Sequence, residues 1–291
     1  MSALSASVGS MRLRIVLITV AALIAFAFNS ILTRLALGAR ELDAAAFTAV
    51  RICAGALVLL LLVRFQSRSW EPLRARGAIG PLALFAYAAP FSFAYLRIGA
   101  AVGALVLFGT VQLTMIGYAL VRGERPTPIT WCGIVIAIGG LLVLTAPAVG
   151  RPDPLGVLLM TIAGVAWGAY TIAGRGIADP LAANARSFLW SAPLALLLAL
   201  VMPSTIAPTP RGIALALLSG AVTSGIGYAI WYRAVRHLTV TEAAVAQMTV
   251  PVIAAVAAIL LLHERLTLRL VESGVTVLAG VAMVVAGRRR A

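Results

Sequence analysis

Ten apolar stretches follow one another along the chain, at 15–37, 43–63, 77–96, 100–120, 129–147, 155–174, 182–202, 211–232, 241–262 and 267–287. A helix needs about 20 mostly apolar residues to cross the hydrocarbon core of a bilayer, and each stretch is of that order. Polar residues collect in short connections between them. The longest connection, 64–76 (RFQSRSWEPLRAR), is basic, and none has room for a soluble domain. The pattern predicts an all-α integral membrane protein with ten transmembrane helices in one bundle.

The pattern also repeats. The stretch 241–267 (TEAAVAQMTVPVIAAVAAILLLHERLT) runs from a small-residue start through an apolar segment to the charged corner Glu264-Arg265, with Pro251 near its middle. An offset of 140 residues gives 101–127 (AVGALVLFGTVQLTMIGYALVRGERPT), which ends at Glu124-Arg125 and Thr127. AFAFNSILTR (25–34) matches AWGAYTIAGR (166–175), Arg51 matches Arg186, and Gly140 matches Gly280. Five helices are thus followed by five similar ones. Because five is odd, the second set must enter the membrane from the opposite face, which makes two inverted repeats (5+5), at 15–147 and 155–287, after a segment 1–14. Inverted repeats are typical of secondary transporters, whose substrate sits near the midplane between the halves. By this topology the two charged corners lie on opposite faces, each closing a helical hairpin. Thr267 is expected to cap the tenth helix, and Thr127 with Pro128 to start the fifth.

Composition agrees with a membrane protein. The 291 residues are 62% hydrophobic and 11% charged, with a mean hydropathy of +1.04, against roughly 25% charged residues in soluble domains. The net charge of +14 comes from arginine alone, since the chain has no lysine. These arginines are spread between apolar runs, so nucleic-acid binding is not expected. Fifteen fall on the side of the termini and seven on the other, with Arg51 inside a span, which puts both termini in the cytoplasm of a bacterial-type inner membrane. Arg12, Arg14 and Ala25-Phe26-Ala27 resemble a secretory leader with its cleavage site. The apolar run continues to Leu37, however, and has a counterpart in the second half. Cys53 and Cys132 form no disulfide or metal spacing and read as small residues facing neighbouring helices.

The two five-helix halves, Arg51 in TAVRICAGALVLLLL, the Pro251 helix and the Glu264-Arg265-Leu266 corner resemble the drug/metabolite transporter superfamily, EamA type. The resemblance covers residues 15 to 287, and among members it is greatest to the YddG-type exporters of aromatic amino acids. It implies a secondary transporter whose helices 1, 3, 4, 6, 8 and 9 line a central cavity. One departure is that Val111 stands where the second half has its proline, so the two halves should not flex identically.

Enzyme chemistry finds no support. Without lysine there is no P-loop or Schiff base, and His237 and His263 lie at opposite ends of the bundle. No cofactor or metal site is expected. What remains is a set of polar and aromatic residues near mid-helix, which are costly in lipid and should face a cavity or another helix. The candidate substrate-binding residues are Asn29, Tyr87, Gln112, Trp167, Tyr170, Tyr228 and Gln247. Ser and Thr at similar depth (Ser30, Ser92, Thr110, Thr114, Thr171, Ser224, Thr249) commonly bond back to their own helix. Tyr95 and Trp231 could equally be interfacial anchors.

Two prolines, Pro90 and Pro251, are candidate hinges. Pro251 has no N–H, so the carbonyl of Gln247 loses its helical partner, placing a free acceptor beside a side-chain amide. Pro90 does the same for Ala86, next to Tyr87. Arg51, the one clear charge within a span, is a candidate to pair a substrate carboxylate, but its counterpart Arg186 at the same place in the other half points instead to a repeated structural role, by snorkelling or binding helix-end carbonyls. Apart from Glu242, at the start of the ninth helix, the acidic residues lie in loops or at helix ends, which argues against proton coupling through a carboxylate relay. Small residues such as Gly99, Gly103, Gly133 and Gly140 would let helices approach closely.

The function expected is export of small organic solutes, amino acids first (aromatic or neutral), by alternating access, from a monomer whose partners are its substrate and the lipid bilayer. Export of other metabolites or cationic drugs, or a non-transporting receptor or scaffold, are the alternatives.

Overall fold

The structure is a computed structural model and describes residues 2–67, 77–98, 100–145, 152–202, 204, 206–262 and 268–288. The Glu264-Arg265 corner, the Thr267 cap, His263 and Gly99 lie outside the described residues. The elements are α1 (Ser2–Gly38), α2 (Ala44–Ser67), α3 (Ile79–Tyr95), α4 (Ala100–Val121), α5 (Pro128–Thr145), α6 (Pro154–Ala173), α7 (Pro180–Val201), α8 (Pro210–Leu218), a π-helix (Ser219–Ile226), α9 (Gly227–Val235), α10 (Val240–Gln247), α11 (Thr249–Leu262) and α12 (Leu268–Arg288). Among the described residues there is no strand. Among the described residues, seven rods are long and apolar enough to cross a membrane; the apolar helices 79–95, 128–143 and 271–287 are shorter. α1 begins at Ser2, so it takes in most of the segment expected to precede the first span.

The sequence dictates where helices start. Pro128, Pro154, Pro180 and Pro210 each occupy the first helical position, where a missing N–H costs nothing and the fixed φ is already helical. Before each stands Thr127, Asp153, Asp179 or Thr209, whose side-chain oxygen accepts from the backbone N–H of Thr130, Gly156, Ala182 or Gly212 at 2.9–3.3 Å. The outward faces stay apolar, with Leu57, Leu113, Val121, Trp190 and Leu200 exposed. Such a surface suits lipid and not water. Cys132 lies on this exposed face and Cys53 is only half-buried, which corrects the expectation that both pack inside.

Contacts between helices come in matched pairs. α5 packs on α12, α2 on α7, and α4 on α10, each helix meeting its own counterpart. The packing of α3 on α6 is matched by α1 on α9, and that of α4 on α6 by α1 on α11. A pseudo-two-fold therefore relates the halves. Its direction is fixed at the α5–α12 seam, where a Cβ on Gly133 would lie 2.6 Å from the Gly280 carbonyl oxygen and one on Gly140 would lie 3.0 Å from that of Ser273. The chain rises along α5 as it falls along α12. At this seam the two counterpart helices run antiparallel, the arrangement expected of inverted halves.

Pro251 is not itself the break in the ninth rod. α10 ends at Gln247, Met248 is a turn, and Pro251 sits in the first turn of α11. The break falls there because the N–H that would hold the Gln247 carbonyl is missing. The Thr249 hydroxyl instead satisfies a neighbouring end carbonyl, that of Ala246, at 2.8 Å. α4, with Val111 at the matching place, is unbroken, and α3 runs through Pro90 without interruption.

Candidate functional site

Where the two halves meet, a small cavity of about 20 Å³ is lined by Phe26, Asn29 and Ser30 of α1, Tyr87 and Phe91 of α3, Leu107 and Phe108 of α4, Trp167 of α6 and Tyr228 of α9. That is room for about one water molecule, so the walls are nearly closed on each other. The walls are an aromatic cluster. Trp167 lies 4.9 Å from Tyr87, 4.7 Å from Tyr228 and 5.1 Å from Phe26 between ring centroids, the last edge-to-face. Such spacings are those of favourable aromatic pairs.

Of the residues singled out from the sequence, Asn29, Tyr87, Trp167 and Tyr228 border this cavity. Gln247 stands one layer behind. Its Oε1 accepts from Trp167 Nε1, and its Nε2 donates to the Ala243 carbonyl at 3.1 Å and faces Met115 Sδ at 3.4 Å. Both ends of the amide are engaged, so it positions the indole. Gln112 donates to the Ala244 carbonyl at 2.7 Å, holding α4 to α10, while its Oε1 is buried without a partner. Tyr170 gives its hydroxyl to Asn184 Oδ1 at 2.6 Å, away from the cavity. Trp231 is fully buried beside Thr171, which excludes an interfacial anchor. Thr114 and Ser92 bond back to carbonyls four residues earlier.

Arg51 behaves differently from the expectation of a structural, snorkelling cation. It does not snorkel; its side chain is fully buried. Nε donates to Ser224 Oγ at 2.9 Å, Nη2 to Tyr228 Oη at 2.6 Å and to Tyr87 Oη at 3.4 Å, and Nη1 has no partner. The guanidinium carbon lies 5.3 Å from the Tyr87 ring centre and 5.7 Å from that of Phe91. Arg186, its counterpart, is half-buried. The π-helix brings this about. A Cβ on Gly220 would meet the Arg51 carbonyl oxygen at 2.2 Å, so only glycine lets the segment come this close to α2. Ser219, Thr223 and Ser224 then all donate to Asn29 Oδ1 at 2.7–3.4 Å. Ser219 and Thr223 escaped the sequence reading, although their spacing of four beside Gly220 was the available signal.

A second, wider cavity of about 230 Å³ lies at the end of the bundle formed by the α4–α5 turn, the start of α10 and the end of α12. Glu124 does more here than close its own hairpin. Its carboxylate accepts from Val240 N at 3.1 Å and from Thr241 Oγ1 at 2.9 Å, across the seam between the halves. Thr239 and Glu242 form a capping box on the same helix start.

Comparison with known proteins gives a consistent picture. The model of the EamA-like transporter family matches residues 13–146 and again 154–286. An uncharacterized protein of Pseudomonas aeruginosa is 46% identical over 275 residues, covering 94% of this chain and 96% of its own. An uncharacterized transporter of Archaeoglobus fulgidus is 25% identical over 236 residues, 77% of this chain and 79% of its own. One of Bacillus subtilis is 24% identical over 233 residues, 76% and 77%. A solved crystal structure superposes with a TM-score of 0.82 at 20% identity, over 96% of this chain and 99% of that one, which speaks to the fold.

Proposed function

The chain belongs to the EamA-like transporter family and is a multi-pass membrane protein, and from that premise we propose that it exports small organic solutes, amino acids foremost, by alternating access. In this reading the ten apolar stretches are ten crossings, and the arginine distribution then favours both termini in the cytoplasm of a bacterial inner membrane. The observation that carries the reading is the near-closed aromatic and amide-lined cavity on the seam between two inverted halves. A midplane site between inverted repeats is where rocking of one half against the other exposes a solute to each face in turn. Aromatic walls with a few fixed polar groups suit an amphipathic solute, aromatic or neutral amino acids being the expected class.

The test is flux into proteoliposomes. Purified protein should carry at least one labelled amino acid above empty-vesicle controls, with and without an imposed proton gradient. If neither an amino acid nor another metabolite moves, the chain is a receptor or scaffold.

A further inference from the structure

We infer that Arg51 is the carboxylate anchor of the transport site, so that the substrates are solutes with a carboxylate beside an apolar body. The inference rests on the transport reading and sharpens its substrate class.

A guanidinium buried in a membrane span needs an anion or a water-filled space. The protein itself supplies Arg51 with no anion among the described residues: its three bonded groups are hydroxyls, and Nη1 has no protein partner. The sequence offers no counter-ion either. No Asp or Glu occurs within α1, α2, α3, α7, α8, the π-helix or α9, the elements packed around this side chain. An unpaired buried charge costs several kcal/mol, and hydrogen bonds to phenols offset only part of that. The missing partner is therefore an anion brought from outside.

Geometry says which anion. The groups holding the guanidinium, Tyr87 and Tyr228, are themselves walls of the central cavity, as is Phe91, whose ring lies beside the guanidinium. Rotating the two phenols aside exposes a planar fork with two donors, the shape that fits a carboxylate. Beyond it stand Phe26 and Trp167, ready for an apolar or aromatic body. A cationic drug would meet a like charge here, so the site selects against that class.

The experiment uses the full chain in proteoliposomes, with labelled L-phenylalanine and L-leucine as probes. For the wild type, 3-phenylpropionate should compete with L-phenylalanine, while L-phenylalaninamide and phenethylamine, which lack the carboxylate, should compete at least tenfold more weakly. Arg51→Gln should raise KM on the order of 100-fold, the usual cost of removing one partner of a buried charge pair, and Arg51→Lys should recover part of it. Equal competition by acid, amide and amine in the wild type overturns the inference without any variant, as does an unchanged KM in Arg51→Gln. Flux of amines but of no carboxylate also overturns it and leaves transport standing. No flux of any solute removes the transport reading itself, and the anchor with it.

Discussion

The carboxylate of Glu124, in the turn between α4 and α5, accepts hydrogen bonds from the backbone N–H of Val240 and the hydroxyl of Thr241, at the start of α10. One bond set therefore joins the first half to the second at one end of the bundle. An anion at a helix N-terminus is favoured by the exposed N–H groups and by the helix dipole.

Glu124→Gln keeps the shape and removes the charge, which should weaken this joint by about 1 kcal/mol. The closed arrangement would then open several-fold more often. The measurement is labelling of Ala244→Cys by a membrane-impermeant maleimide, in a background lacking Cys53 and Cys132. Labelling that is no faster with Glu124→Gln shows the bond does not hold the halves.

Gln247 should act through Trp167. Gln247→Ala leaves a buried indole N–H unpaired, at a cost of about 1–3 kcal/mol, so thermal stability and flux should fall together. Gln247→Glu keeps an acceptor for the indole and should hold Trp167 better than alanine does. Flux and melting temperature that match the wild type in Gln247→Ala would remove both roles.

At the α5–α12 seam, a Cβ on Gly280 would lie 2.5 Å from the carbonyl oxygen of Gly133. The clash is with backbone, which cannot rotate aside. Gly280→Val should lower the stability of detergent-purified protein by at least the ~1–3 kcal/mol typical of overpacking. Gly139→Val, where nothing lies within 4 Å of a Cβ, is the control and should melt close to the wild type.

Asp153 caps α6, and its carboxyl is held below the ordinary value of 3.8, chiefly by the Gly156 N–H, against partial desolvation and with help from Arg97 at 3.1 Å. A carboxyl depressed on folding contributes stability above its unfolded value and loses it as pH falls through the folded one. Melting temperature should therefore drop on acidification below about pH 4, and by less in Asp153→Asn, which keeps the cap without the charge. The group is solvent-exposed, so the difference is small.

The rods were legible because an apolar run of membrane length leaves few alternatives; α4 and α7 begin and end within two residues of the stretches that announced them. The break before Pro251 was legible in kind and displaced by three residues, since the lost bond acts at the carbonyl four positions back. The family resemblance to EamA transporters was legible from the doubled corner and Arg51. Carboxylate pairing was one reading open to Arg51, but its burial and its hydroxyl partners were not legible. Its match to Arg186 implied one shared role, yet matching roles require matching neighbours. An offset of 140 residues puts Leu84 and Ala88 where Arg51 has Ser224 and Tyr228, and neither has a side chain that can accept a hydrogen bond. The π-helix was also out of reach, because its register answers to α2 packed against it and not to local propensity.

That register carries a geometric consequence. Each i→i+5 ring encloses one residue more than an α-helical ring, so the rod from Pro210 to Val235 holds a surplus residue between Ser219 and Ile226. Tyr228 points where it does because of a count upstream. Deleting a single residue there would turn everything from Gly227 onward by about 100° and draw it back by about 1.5 Å. The phenol would swing off Arg51 with no change to either side chain. The phase of a screw, as much as any residue's identity, sets who meets whom at the centre of this protein.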